Sequence, residues 1–287
     1  MRRLHAWISA LLLAAACCGA PALAAESEGA CAGYIDALPA TIASQGLWCL
    51  RHDLSTAITS GKAISISANN VTIDCNGYKL GGLAAGTSSA AFGIATDGAA
   101  NTTIRNCTLR GFWVAIAIGG GGNLVEDNLL DGNLFRAIEV GNGHGLVRRN
   151  RVANTGGCSF CTQATAIFAY GDVVDNVVTG VFAVSGADTS TTGIYLQGAG
   201  TVARGNRVVD VAATGTGEAV GIWAAGEAQY FTGQHGVVDN LVANSVAVAG
   251  VAVRGTGTGE AFCSGNHASG YATAFSGCEL VAGNFNH

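Results

Sequence analysis

The chain has 287 residues, and its 14 Lys and Arg stand against 19 Asp and Glu. Charged residues are only 11% of it, whereas Gly numbers 43 and Pro 2. Low charge excludes a disordered, highly charged linker, and the lack of any basic stripe argues against a nucleic-acid partner. What remains is a folded solid with many tight turns.

Taken in chain order, residues 1–24 predict a secretory signal peptide. Arg2 and Arg3 precede the apolar run "WISALLLAAACC", and Pro21 leads into Ala22-Leu23-Ala24. Cys17 follows three alanines, which admits a lipoprotein reading, but Leu13 sits one place too far upstream for a good attachment box. The apolar run is too short to span a bilayer comfortably, and no later stretch qualifies. The expected location is therefore secreted or periplasmic. Without Arg2 and Arg3, twelve basic residues face nineteen acidic ones, a net of −7. Residues 25–60 are expected to cap the N-terminal end of a repeat that fills 61–287.

Eight cysteines follow the leader: Cys31, Cys49, Cys75, Cys107, Cys158, Cys161, Cys263 and Cys278. An even number in an exported chain implies disulfides. The expected pairs are Cys31–Cys49, Cys75–Cys107, Cys158–Cys161 and Cys263–Cys278. The "CSFC" at 158–161 could also be a redox or metal motif. No helix start follows it, and no second ligand pair stands at zinc spacing, so it reads as a turn disulfide.

The chain keeps returning to one phrase, hydrophobic residues shortly before an Asn and again after it: "NTTIRNCTLRG", "NLVEDNLLDGN", "HGLVRRNRVAN", "GTVARGNRVVD". Aligned on that Asn, nine positions fall together: Asn76, Asn106, Asn128, Asn150, Asn176, Asn206, Asn240, Asn266 and Asn284. A repeat of ~20–30 residues marks a solenoid. A second phrase accompanies it, as in "AIAIGG", "AIEVGN", "GIYLQG" and "GIWAAGE". Both are short, rich in Val and Ile, and alternate with period two, which predicts strands and no helix. Short strands stacked unit on unit predict a single all-β parallel β-helix. The Asn column is then a structural ladder, each side chain bonding backbone groups of a sharp turn and the Asn of the next rung. Arg105, Asp127, Arg149 and Asp175, each just before its Asn, predict a column of alternating charge that fixes register.

At "SISANNVTIDCNGYKLGG" (65–82) the sequence resembles the right-handed parallel β-helix repeat proteins of the pectate-lyase-like superfamily. The lead-in "ATIASQGLWCLRHDL" (40–54) is similar to the capping segment of such secreted proteins. The resemblance spans about 40–287 and implies the fold. It implies no single activity, because the superfamily holds polysaccharide lyases, glycoside hydrolases, epimerases, tailspikes, adhesins and a copper-handling protein. No clustered Asp suits a calcium-dependent lyase. "GNGHG" offers His144 as a hydrolase-like histidine, but "QHG" at His235 recurs at nearly the same place relative to its Asn, so His144 reads as a repeat-turn residue. No paired carboxylates or basic triplet accompany them. Met1 is the only methionine, which gives copper handling no ligand tract. No metal or cofactor is implied.

The second phrase yields the candidate site. With Ile94, Ile116, Ile138, Ile167, Ile194, Ile222 and Val251 inward, alternation turns Ala95, Ala117, Glu139, Phe168, Tyr195, Trp223 and Ala252 outward. Three rungs in succession thus expose Phe168, Tyr195 and Trp223 over ~10 Å. Small neighbours (Ala137, Ala166, Gly193, Gly221, Gly250) are expected to leave a groove on one side. Asp97, Tyr170, Gln197 and Arg254 are expected to form a polar rim on the other. Such a face suits a polysaccharide, with Phe168, Tyr195, Trp223, Gln197 and Arg254 as ligand contacts, and it serves equally as a stabilising stack without ligand. Glu139, Asp97, Asp172 and Glu227 are the acids nearest it, none with an evident catalytic partner. Two functions stand: a glycan-binding or glycan-processing protein (as an enzyme, a lyase or glycoside hydrolase), or a non-catalytic structural or adhesive solenoid.

Overall fold

The computed structural model describes residues 31–225, 234–256, 261–280 and 283–286. The signal segment 1–24 and Glu227 lie outside the described residues. Short strands such as Phe92–Thr96, Thr103–Arg105 and Thr108–Arg110 form one coil, and each pairs in parallel with its counterpart a coil later. About nine such turns stack into three long parallel sheets.

Sheet 1 runs through Lys62–Ile66, Phe92–Thr96, Val114–Ile118 and onward to Ser190–Gln197 and Ala219–Ala225. Sheet 2 holds Val71–Asp74, Thr103–Arg105, Leu124–Glu126 and Val202–Arg204, and sheet 3 holds Lys79–Gly81, Thr108–Arg110, Leu129–Asp131 and Arg207–Val211. Longer strands such as Arg136–Arg148 bend round the corner from sheet 1 to sheet 2. The interior is a file of stacked aliphatic side chains. Ile64, Ile94, Ile116, Ile138, Ile167, Ile194 and Ile222 are in register and wholly buried. Stacking like on like at rung spacing lets every side chain pack in the same rotamer as its neighbours.

The repeat begins earlier than residue 61. Ala40–Ile42, Gly46–Cys49 and Leu54–Ser55 already pair with the next coil, so they form a first turn. Of the described part of the expected cap, only residues 31–39 lie beyond that turn. There Gly33–Tyr34 pairs with Trp48 and Cys49, and Cys31–Cys49 pins the segment. The four disulfides join Cys31–Cys49, Cys75–Cys107, Cys158–Cys161 and Cys263–Cys278, as the sequence predicts.

At the corner between sheets 2 and 3, Asn128, Asn150, Asn176, Asn206, Asn240, Asn266 and Asn284 stand in one column. The Asn150 Nδ2 donates to Asn176 Oδ1 at 3.0 Å and to Val125 O at 2.9 Å, and the same pattern repeats at Asn176, Asn206 and Asn240. Asn106 and Asn76 stand outside this column, which corrects the nine-member alignment. Register puts Glu126 opposite Arg105 and Leu129 opposite Thr108, so Cys107 occupies the ladder position opposite Asn128. Its N–H donates to Asn128 Oδ1 at 3.0 Å, and its sulfur crosses to Cys75. Asn106 takes the preceding left-handed position (φ 54°), and Asn76 lies in a longer turn, where its amide reaches Leu50 O.

The charge column shifts likewise. Arg105 is level with Asp74, Glu126 and Arg148, bonding Asp74 at 2.8 Å. Asp127, Arg149 and Asp175 form the neighbouring column, where Arg149 grips Asp127 at 2.9 and 2.7 Å. That bidentate contact holds the Asp127 carboxyl below the usual carboxylate range.

Candidate functional site

The outer face of sheet 1 differs from the rest of the solenoid. Glu139, Phe168, Tyr195 and Trp223 are opposite one another on successive rungs, and all are half-buried. Phe168 and Tyr195 stack with centroids 5.2 Å apart and planes 19° apart. Trp223 turns out of that stack, at 85° to Tyr195 and 4.9 Å from it. Edge and offset contacts of this kind stabilise a sheet face beyond simple burial.

The next member of the column is Arg254, not Ala252. Register sets Ile222 opposite Val253 and Trp223 opposite Arg254, while Ala252 is buried. The Arg254 guanidinium lies 5.3 Å from the Trp223 ring, so it belongs to the aromatic file rather than to a rim. Glu218 accepts from it, with Arg254 Nη1 at 2.7 Å from Oε2.

The file continues the other way through residues that strand alternation alone did not reveal. Arg136 places its guanidinium 4.4 Å from the Phe168 ring and 4.8 Å from the Phe135 ring, and donates to Glu139 at 2.7 Å. Phe135 stacks on Trp113 at 5.1 Å and 9°, and Trp113 meets Phe92 edge-on at 5.3 Å. Trp113 and Phe135 have the same spacing as Ile116 and Ile138, a signal available in the sequence. The result is one seam, Phe92, Trp113, Phe135, Arg136, Phe168, Tyr195, Trp223 and Arg254, across seven rungs or roughly 29 Å.

Three expected features fall elsewhere. The small residues beside the seam point inward rather than opening a groove. Ala137 and Ala166 are buried, and a Cβ on Gly193 would lie 2.5 Å from Val208 Cγ1 in the core. Asp172 belongs to sheet 2, where it lies opposite Leu146 and accepts from Val202 N–H at 2.9 Å. Gln197 is buried, its amide 3.3 Å from the Tyr195 hydroxyl. Asp97 is exposed and ion-paired with Lys62. His144 is an exposed corner residue with φ 54°. His235, by contrast, is buried with its Nδ1 2.8 Å from Thr201 Oγ1.

At the opposite corner an open cleft of about 370 Å³ is lined by Asn76, Gly77, Asn106, Cys107, Thr108, Asp127 and Leu129. Its one carboxylate is the Asp127 already held by Arg149. Among the described residues no three His, Cys, Asp or Glu side chains converge as around a metal ion. No helix among them is long and apolar enough to cross a membrane.

Residues 55–192 match the family described as right handed beta helix region. The chain folds as a right-handed parallel β-helix. No curated protein matches it. Among solved structures, this β-helix is similar to the Dettilon tailspike protein gp208, at 14% identity over 88% of this chain and 59% of that one, with a TM-score of 0.47. It is also similar to the catalytic domain of a GH87 alpha-1,3-glucanase solved with tetrasaccharides, at 11% identity over 88% of this chain and 64% of that one, with a TM-score of 0.44. The β-helix thus spans less than two thirds of either chain.

Proposed function

We propose that this β-helix is an exported protein that holds a polysaccharide lengthwise along sheet 1. The observation that carries the reading is the asymmetry of the surface. Sheet 2 and its corner with sheet 3 carry laddered ion pairs, including Asp74–Arg105, Glu126–Arg148 and Asp127–Arg149. Sheet 1 instead carries the aromatic seam. Sugar rings present C–H faces that pack on aromatic rings, and a file of rings at rung spacing suits an extended chain. Trp223 is the largest ring of the Phe168, Tyr195 and Trp223 file and is turned at 85° to Tyr195. Export is supported by the four disulfides, which persist in oxidising compartments, and by the leader-like first 24 residues.

Binding is better supported than cleavage. A glycosidase needs two carboxyl groups ~5–9.5 Å apart, one free to give a proton and one to attack or activate water. On this face Glu139 is held by Arg136, Asp97 by Lys62 and Glu218 by Arg254. An inert structural or adhesive solenoid is the reading to beat, since mutual stacking alone accounts for a stable face.

Trp223→Ala separates the two. The protein would be titrated with a panel of plant-wall and bacterial polysaccharides, following affinity by calorimetry and fold by thermal melting. Loss of the indole should weaken binding at least about tenfold, equivalent to ~1.4 kcal/mol, while the variant still melts cooperatively. No binding to any polysaccharide by the parent protein would hand the face to the structural reading.

A further inference from the structure

Resting on that reading of sheet 1, we propose that the bound polymer is a neutral glycan rather than a uronic-acid or other polyanionic one, and that the apolar corner beside sheet 1 forms the second wall of its site. The first support is charge. Along sheet 1 and the loops that enter it from sheet 3, the described charged residues are Lys62, Asp97, Arg136, Glu139, Asp188, Glu218 and Arg254. Every cation there is already matched: Lys62 to Asp97, Arg136 to Glu139, Arg254 to Glu218. Asp188 adds a negative charge and accepts from Thr216 N–H at 2.7 Å. Among the described residues, the face therefore offers no uncompensated cation to a carboxylate or sulfate. A polyanion would approach a neutral to slightly acidic surface on a protein that is itself net acidic, with nothing to steer it.

The second support is the corner. The four most exposed large hydrophobic side chains among the described residues are Val246 (73%), Val184 (57%), Leu83 (56%) and Phe160 (54%). All four lie where the chain passes from sheet 3 to sheet 1, on different rungs: Leu83, Phe160 and Val184 in connecting loops, and Val246 within the strand Leu241–Thr256 that rounds the corner. Apolar residues exposed along one corner, beside an aromatic face, are candidates for an interaction surface. Phe160 is the best placed of them. Its loop is closed by Cys158–Cys161, and Ser159 is tied to Thr87 O through its N–H at 3.1 Å. Cys158 N–H bonds Leu134 O, next to Phe135 of the seam. A ring presented on so short a clamped loop loses little freedom on binding.

The test uses the purified protein and two probe sets: dextran, laminarin, yeast mannan and xyloglucan against polygalacturonate and alginate. At least one neutral polymer should bind at least tenfold more tightly than either acidic one. Its affinity should change less than twofold between 50 and 500 mM NaCl. Phe160→Ala, at an exposed position, should melt like the parent and bind the neutral polymer at least fivefold more weakly. Glu139→Gln together with Glu218→Gln should free Arg136 and Arg254 and create salt-sensitive binding to the acidic polymers. Tighter, salt-sensitive binding of polygalacturonate or alginate to the parent protein, lost in Trp223→Ala, would overturn the neutral class while leaving the sheet-1 site standing. Unchanged binding in Phe160→Ala would overturn the corner wall. Binding to neither set would overturn the site and the ligand class together.

Discussion

Asn176→Ala is the sharpest test of what holds the coils in register. The side chain is fully buried. Its Nδ2 donates to Val147 O, Val174 O and Asn206 Oδ1, each at 3.0 Å, and its Oδ1 accepts from Asn150 N at 2.9 Å and Asn150 Nδ2 at 3.0 Å. Truncation leaves the Asn150 backbone N–H and the Val147 carbonyl short of a partner in a site closed to water, while Val174 O keeps the Arg149 N–H and Asn150 Nδ2 keeps Val125 O and Arg148 O. Each buried unsatisfied group costs ~1–3 kcal/mol, and partial relaxation brings the total to about 4 kcal/mol. For a domain of this size that lowers Tm by roughly 8–16 °C. Asn106→Gly is the control. Asn106 sits at φ 54°, where Gly is at ease, and its amide makes only long contacts of 3.2 and 3.3 Å to Asp74. Its loss should cost no more than about 1 kcal/mol. Circular dichroism melts of the two variants decide the matter. Equal shifts, or a shift for Asn176→Ala under about 3 °C, would refute the claim that the ladder carries register energy.

Two further outcomes follow from buried polar groups. Burial pushes the His235 imidazole below its ordinary value of 6.5, so the unfolded chain takes up that proton first; the resulting stability is full above pH 6.5 and falls as pH drops toward the folded value. Wild type should therefore lose Tm faster than His235→Gln between pH 7.5 and pH 5, and parallel pH profiles would contradict this. Cys75→Ala with Cys107→Asn should be more stable than Cys75→Ala with Cys107→Ala by about 1–2 kcal/mol in urea melts, because the new amide prolongs the ladder at the position whose N–H already donates to Asn128.

The coil was legible because two columns, Asn and Ile, each recur about once per coil, and a stacked parallel strand makes both recur. The two slips in alignment have different physical origins. Aligning Val251 rather than Val253 with Ile222 is a slip of two residues, and a slip of two keeps every hydrophobic side chain on its face. Nothing in "GVAVRG" penalises it; only the paired strands reveal it. Aligning Asn106 rather than Cys107 with Asn128 is a slip of one, hidden inside a turn where no alternation applies. A disulfide replaces the amide there, and a half-cystine gives no sign in the sequence that it occupies an Asn's place.

The candidate site was legible in its centre and not at its edges. Phe168, Tyr195 and Trp223 lie on a straight run of strand, where alternation holds. At the entry to sheet 1 the chain bends, so that neighbours such as Ala137 and Ile138 are both buried, and a strict alternation turns small interior residues into a groove. The corner loops have no period to read, so Phe160 and Val184 look like loop residues until the stacking brings their loops to the same corner. The ion pairs are less visible still. Glu218 and Arg254 are 36 residues apart, and Lys62 and Asp97 are 35 apart; their neutralisation depends on rung neighbours, which the amino-acid order does not display. A face on which Glu139 and Asp97 read as unpartnered acids is, once wound, aromatic, with Glu139 paired to Arg136 and Asp97 to Lys62. Pairing of this kind sets the charge of the face, and only the winding of the coil reveals it.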